Sequence, residues 1–447
     1  MIRIIVRAKK DADAVKAMLR TFYQGWNIEV STLKGARGEK GIERLHDVLS
    51  NEYYNIVLIG RQDKEFLKLD GMLGANTVIH MVPKEKIRNT RISQLASEFE
   101  KARARFRLET RWINEGYIFS IIKRGVRLPI EVNPAFDVFL ENKNVVSKYL
   151  GIYCKGCNYL VFVRKFGGEH DIFCGKNLIA KIKIPDRGYV EVYEKRDTEG
   201  SLVNLKKTLE NNIETLHVME KISTKLLKNV KNKHDVYIVP WSGGKDSTTA
   251  LILAVKVFGK KKLYAIYVDT GVDFPHNREY VEKVSRKLGV NLIVEEAHVD
   301  EELSKGRRFP TNENRWCTKL KIVALYRAID SIADSRDKVL IIVGDRDAES
   351  ELRSKRPPIR DHEGFMQAAP IKMWSAAHTQ LYLLQNNIPL NPLYELGFYR
   401  LGCYICPALR SWEIMIMKST PLKNILGNLP FYKEFITSFR EIGNNRE

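Results

Sequence analysis

Residues 236–251 read Val236-Tyr237-Ile238-Val239-Pro240-Trp241-Ser242-Gly243-Gly244-Lys245-Asp246-Ser247-Thr248-Thr249-Ala250-Leu251, and the fold follows from them. Asp235 to Val239 is a short β-branched and aromatic run, the pattern of a buried strand. Ser242-Gly243-Gly244 is a turn in which two residues without Cβ let the backbone approach a ligand. From Ser247 the apolar spacing becomes helical, with Ala250, Leu251 and Ala254 on one face. Strand, glycine turn and helix N-terminus together gather free N–H groups and the positive end of a helix dipole at one point, which suits phosphate. Lys245 adds a charge there, and Ser247 and Thr248 add hydroxyls.

The spacing is not that of the Walker A loop, which separates its first glycine from Gly-Lys-Ser/Thr by four residues; Gly243 and Gly244 are adjacent. The order Ser-Gly-Gly-Lys-Asp-Ser resembles instead the PP-loop of the ATP pyrophosphatase (adenine nucleotide α-hydrolase) superfamily. The resemblance implies ATP, or a related adenine nucleotide, held by its phosphates and cleaved between the α- and β-phosphates to give an adenylate.

The chain has 447 residues, room for two to four domains with real cores. Hydrophobic content of 44% and charged content of 29% fit a globular protein. No apolar run approaches the roughly 20 residues a membrane span needs. The opening Met1-Ile2-Arg3-Ile4-Ile5-Val6-Arg7 reads as a charged strand rather than a signal peptide, so a cytoplasmic protein without membrane contact is expected. Lys and Arg number 74 against 54 Asp and Glu, a net charge of +20. A heat-adapted, ion-paired surface is one source of such an excess; a polyanionic partner, RNA (tRNA above all) or DNA, is the other and the one expected here.

In chain order, 1–115 reads as an N-terminal α/β domain, with strands at Ile2–Val6, Asn55–Gly60 and Val78–Pro83 and a helix over Asp11–Gln24. A basic helix over Ser93–Arg111 carries Lys101, Arg103, Arg105, Arg107 and Arg111, either a solvated face or an RNA-contacting one. Residues 116–200 read as a small β-rich module with strands at Tyr117–Lys123, Val126–Val132, Asn158–Arg164, Leu178–Ile184 and Tyr189–Tyr193, metal- or RNA-binding in the manner of the modules attached to RNA-modifying enzymes. Cys154-Lys155-Gly156-Cys157 is a half-site for tetrahedral Zn²⁺; with Cys174 as third ligand and Asn at 177, the fourth would be His170. A helical connector spans 201–232. Residues 233–447 alternate strands (Lys262–Asp269, Asn291–Glu295, Val339–Val343) with helices, giving α/β, a doubly wound, mainly parallel sheet. Ligands of such sheets bind at the carboxyl ends of the strands, where Ser242–Ser247 and Asp269–Gly271 fall.

The succession of Asp269-Thr270-Gly271, Arg315-Trp316-Cys317-Thr318-Lys319, Gly344-Asp345-Arg346-Asp347-Ala348-Glu349-Ser350-Glu351-Leu352-Arg353 and Cys403-Tyr404-Ile405-Cys406-Pro407 resembles the phosphoadenosine phosphosulfate reductase family over about 233–410. The resemblance implies that Ser242, Gly243, Gly244, Lys245, Asp246 and Ser247 hold phosphates and that Asp269, Thr270 and Gly271 lie beside adenosine. It further implies that Arg315, Lys319, Gly344, Arg346, Glu349, Ser350 and Arg353 frame the anionic groups; guanidinium forks pair well with phosphate or sulfate. Asp246 is the expected ligand of Mg²⁺, which prefers hard oxygen donors. The family's cysteine-bearing C-terminal tail has no counterpart in 422–447. Cys317, Cys403 and Cys406 suggest instead an iron–sulfur ([4Fe-4S]) cluster held by three thiolates, a zinc ion, or a sulfur carrier on Cys317.

The expectation is an enzyme that adenylates a nucleic-acid base, in tRNA foremost, and transfers sulfur to it from a sulfur donor, with Lys245, Asp246 and Cys317 as catalytic residues. The alternatives are a sulfonucleotide reductase acting on a small adenine nucleotide, and a nucleotide-sensing nucleic-acid-binding protein without catalysis. His378 is expected to be structural, and Trp374 and Tyr394 to be core or pocket wall.

Overall fold

The structure is a computed structural model describing residues 1–196, 200–420 and 422–444; 197–199 of the β-rich module and 421 and 445–447 of the C-terminal half, including the end of the expected tail, lie outside the described residues. Strands β1 (Ile2–Val6), β2 (Ile28–Thr32), β3 (Tyr54–Ile59) and β4 (Thr77–Met81) form a parallel sheet in the order β2-β1-β3-β4. Then β5 (Thr110–Ile113), β6 (Gly116–Phe119) and β7 (Val126–Arg127) make a small antiparallel sheet. An antiparallel meander follows: β8 (Asp137–Asn142), β9 (Tyr159–Arg164), β10 (Glu169–Cys174), β11 (Asn177–Lys183) and β12 (Glu191–Lys195).

Strand β13 (Val236–Pro240) is flanked by β14 (Leu263–Asp269) and β16 (Val339–Ile342), with β15 (Asn291–Glu296) and β18 (Phe365–Ala368) outside them and β17 (Ile359–His362) at the edge. All of these pairs are parallel except β17 with β18, so the C-terminal half is the mainly parallel α/β sheet read from the sequence. Continuous apolar strands such as Val-Leu-Ile-Ile at 339–342 arise because helices cover both faces. The Lys245–Phe258, Ala376–Gln385 and Leu205–Lys231 helices cover one face through Leu216, Ala250, Leu251, Ala254 and Leu381, and the Trp316–Asp330 helix covers the other through Ala328 and Ile329. One hydrophobic core runs from Ile4 of β1 through Phe119 to Val239 of β13.

The meander differs from the expected strand set. β8 and β10 are additional strands. The Val126–Val132 run shrinks to two residues because Pro129 cannot continue a ladder. In the basic helix, Ile92–Leu108, two of the expected surface cations are interior. Arg103 is fully buried and Arg107 nearly so. Arg103 pairs with Glu100 at 2.6 Å and with Asp347, while Arg107 donates to the carbonyls of Phe136 (3.3 Å) and Pro134. Arg105 forks onto Asp70 at 2.8 and 3.2 Å. Arg103 finds its acceptor Asp347 in the catalytic half, while Arg105 and Arg107 bind fixed acceptors within residues 70–136, which a solvated lysine-like charge would not need.

Candidate nucleotide and thiol site

The phosphate loop is built as its residue types require. Gly243 has φ +73°, a left-handed turn that a side chain disfavours. Gly244 precedes the Lys245–Phe258 helix, whose first-turn N–H groups point into the loop. Ser242 Oγ lies 3.2 Å from Ser247 Oγ and closes the loop. Gly344, just past β16, packs its α-carbon on the backbone of Asp246 and Ser247; an added Cβ would come 2.7 Å from the Asp246 carbonyl carbon.

Beneath the loop lies a chain of buried charges. Lys245 Nζ is 3.2 Å from Asp246 Oδ2 and from the Tyr399 carbonyl, with the rings of Tyr399 and Tyr394 at 4.9 and 5.2 Å. Tyr394 accepts the Lys245 N–H through its hydroxyl at 3.0 Å, so it is pocket wall, while Trp374 is core. Arg346 donates from Nε to Asp246 Oδ1 (2.8 Å) and from Nη1 to Asp137 Oδ2 (2.7 Å). Thr379 Oγ1 donates to Asp246 Oδ1 at 3.2 Å. Burial alone would weaken the Arg346 charge, but Asp137 and Asp246 reverse that and hold the guanidinium protonated. Burial would likewise raise the Asp246 pKa, and Arg346 and Lys245 overcome it, keeping the carboxylate ionised. Both Asp246 oxygens are therefore engaged by protein donors. Asp246 thereby orders two cations, Lys245 and Arg346.

The rest of the Gly344–Arg353 element is a set of caps. Glu349 accepts from the Arg346 N–H at 3.0 Å and from Arg353. Ser350 Oγ caps the Glu351–Lys355 helix by accepting from Arg353 N at 3.2 Å. Arg315 and Lys319 are exposed at the start of the Trp316–Asp330 helix, and among the described residues neither side chain forms an ion pair.

Asp269, Thr270 and Gly271 end β14 as a turn: Asp269 Oδ1 accepts from Gly271 N at 2.9 Å, and Gly271 has φ +71° against the Asp300 carboxylate. The 402–406 segment pairs with this turn through an Asp273–Cys403 bridge and a Tyr404 N–H to Val272 carbonyl bond of 3.1 Å. Cys403 donates to Cys406, which pushes the Cys403 thiol well up and lowers Cys406 to about 5. Desolvation would discharge Lys321, but Cys403, Asp273, Cys406 and Cys317 around it keep the ammonium charged. The three sulfurs do not draw together as a single ion's ligands must. The three thiols stand instead about the buried Lys321 ammonium.

In the meander, Cys154, Cys157 and Cys174 converge, with all three sulfurs within 4.8 Å of one another. His170 is not their fourth ligand. It stands four residues before Cys174 in β10, about 13 Å away at strand rise. Its Nδ1 pairs with the Gly168 carbonyl at 2.9 Å, and its ring packs edge-on to Phe139 and Phe162. His378 is structural: Nδ1 accepts from Ser375 N (3.1 Å), so Nε2–H donates to the Phe119 carbonyl (2.8 Å), and burial lowers its pKa to about 4.

Sequence reasoning missed Asp137, Glu141, Thr379 and Tyr399. Glu141 and Tyr399, with Phe139, Tyr159, Tyr394 and Phe398, wall a 420 Å³ cleft that opens on Lys245 between the meander and the catalytic half. Burial raises the Glu141 carboxyl to about 8.

Residues 236–409 match the family described as phosphoadenosine phosphosulfate reductase domain. Two uncharacterized proteins of Methanocaldococcus jannaschii are similar at 36% identity over 185 residues (40% of this chain, 38% of the relative) and 31% over 218 residues (47% and 52%). An adenosine 5'-phosphosulfate reductase of Rhodococcus erythropolis is 28% identical over 147 residues, 32% of this chain and 57% of that protein. The chain thus spans about half or less of the length of the first two relatives. A solved phosphoadenylyl-sulfate reductase from Candida auris covers 46% of this chain and 99% of its own at 18% identity and a TM-score of 0.34. No helix among the described residues is long and apolar enough to cross a membrane. Residues 236–409 of this chain thus carry a phosphoadenosine phosphosulfate reductase domain, extended here by an N-terminal α/β sheet and a β-meander.

Proposed function

We propose that this chain is a cytoplasmic PP-loop sulfurtransferase that adenylates a base carbonyl in nucleic acid, tRNA foremost, and replaces its oxygen by sulfur. The observation that carries the reading is the 397–406 loop. Its Tyr399 carbonyl touches Lys245 Nζ at 3.2 Å, and its Cys403 and Cys406 stand with Cys317 about Lys321. One loop thus joins the lysine of the Ser242–Ser247 loop to a thiol group.

In the first step the base carbonyl oxygen attacks the α-phosphate of ATP, forming the C–O–AMP bond and releasing pyrophosphate. Lys245 and the loop N–H groups offset the charge that develops on the leaving pyrophosphate. Asp246, held by Arg346 and Thr379, fixes the lysine. In the second step sulfide, or a persulfide with a thiol reductant, attacks the activated carbon; AMP leaves with the oxygen and the thiocarbonyl forms. Cys317, Cys403 and Cys406 would hold an iron–sulfur cluster, which when bound supplies an open iron for sulfide. The aromatic cleft beside Lys245 suits a base turned out of its stack. The net charge of +20 supports a polyanionic acceptor.

The test is anaerobic incubation of the iron-loaded chain with ATP, sulfide and bulk tRNA, followed by nucleoside mass spectrometry and pyrophosphate assay. Thiolated nucleoside with RNA-dependent pyrophosphate release is expected. The similarity to the Rhodococcus reductase favours a second reading, reduction of a sulfonucleotide. Sulfite formed from adenosine 5'-phosphosulfate and a thiol, with no effect of RNA, would establish that reading and sink the first. ATP binding with neither product would leave a nucleotide sensor.

A further inference from the structure

We infer that Cys154, Cys157 and Cys174 hold one Zn²⁺, which fastens two turns of the meander to the segment entering the Leu205–Lys231 helix. The site lies apart from the nucleotide loop and from Cys317, Cys403 and Cys406. Cys154 and Cys157 sit on one turn, closed by a Cys157 N–H to Cys154 carbonyl bond of 3.4 Å and reversed by Gly156 at φ +81°. Cys174 ends β10 and precedes Gly175 at φ +56°, which turns the chain into β11. Two separate turns therefore aim three sulfurs at one point, with Cys157 and Cys174 buried.

Cys157 Sγ lies against both Cys154 Sγ and Cys174 Sγ. A sulfur forms one disulfide, so pairing would leave one thiol of the three unused, whereas a cation satisfies all three together. Soft thiolates in a small group select Zn²⁺ over hard cations. The surrounding backbone is shaped to the same end. Gly200 covers the sulfurs, where a Cβ would collide with Cys157 Sγ and come 2.7 Å from Cys154 Sγ. Gly200 N donates to the Lys155 carbonyl at 2.9 Å, and Ser201 N donates to Cys174 Sγ at 3.3 Å, the kind of outer bond that orients a metal-bound thiolate. Among the described residues no His, Asp or Glu joins the set.

The three thiols stand on a load path between the meander and the catalytic half. The segment after Gly200 continues through Val203, whose N–H donates to Asn158 Oδ1 at 2.7 Å, into the Asn204-capped helix. The metal would thus fix where the meander hands the chain to the catalytic half.

The experiment uses the full chain with Cys317, Cys403 and Cys406 replaced by Ser, so that only the three meander thiols remain. Purified with reductant, it should retain roughly one zinc per chain. Titrated with Co²⁺ after chelation, it should show the thiolate-to-cobalt charge-transfer band of a tetrahedral site. Both signals should vanish in Cys157→Ser. Gly200→Ala keeps all three ligands but crowds them, and should weaken Co²⁺ binding at least several-fold; it keeps the test sharp where Cys157→Ser fails to fold. Absence of zinc together with absence of the cobalt band in the parent would overturn the proposal. So would iron in place of zinc, or a band that survives Cys157→Ser.

Discussion

Arg346 Nη1 meets Asp137 Oδ2 at 2.7 Å with both side chains almost wholly buried, although 209 residues separate them. The meander thus holds, from below, the arginine that grips Asp246 of the phosphate loop. Asp137 also accepts the Ala376 N–H at 3.1 Å and the Tyr399 hydroxyl at 2.9 Å, so one carboxylate gathers three parts of the site.

Removing that carboxylate leaves a buried guanidinium with a single ion-pair partner. Asp137→Ala is expected to cost about 3–5 kcal/mol in denaturant unfolding, the usual loss when one member of a buried pair is deleted. Arg346 should also slacken its hold on Asp246, lowering pyrophosphate release. An unchanged unfolding midpoint would show that the pair contributes nothing.

The same residue sets an acid limit. Burial would raise the Asp137 pKa, but Arg346 and Arg164 outweigh it and hold it at about 2, below its ordinary 3.8. A depressed pKa contributes stability above the unfolded value and loses it as pH falls through the folded one. Stability should therefore drop between about pH 4 and pH 2, and Asp137→Asn should flatten that part of the curve.

Glu141 acts in the opposite sense. Burial raises it from 4.5 to about 8, so between those values the unfolded chain ionises while the folded one keeps its proton, and stability falls as pH rises. Glu141→Gln should erase this slope, raising stability at pH 8 by roughly 1–3 kcal/mol relative to pH 5. Chemical denaturation at the two pH values measures it; parallel curves for wild type and variant would refute it.

Gly344→Ala tests the close approach behind the phosphate loop. The new Cβ would lie 2.7–2.8 Å from the Asp246 carbonyl group and the Ser247 nitrogen, all backbone. The loop must shift, and affinity for ATP by calorimetry should fall by about tenfold or more, some 1.4 kcal/mol. The circular dichroism spectrum should not change. Native affinity would mean that the loop is more pliant than its packing indicates.

The PP-loop and its parallel sheet were legible because each local signal agreed: an apolar strand, two glycines, then helical spacing. Asp137 and Glu141 were not, since a strand bracketed by acids reads as a turn; Asp137 becomes interior through contacts more than 200 residues away. Arg103 and Arg107 misled for the same reason, as charge on a helix reads as surface until its acceptors are located. The cysteines of the meander were legible in spacing, but His170 was misread because four strand residues span too far to share a ligand shell with Cys174.

The Arg103–Asp347 contact has a consequence for synthesis. The two residues lie 244 positions apart, so at ribosomal speed Arg103 waits on the order of tens of seconds for its partner. Glu100, one helical turn away at 2.6 Å, is already present on the nascent helix. Arg103 thus carries a counter-charge from its own helix before Asp347 has been made.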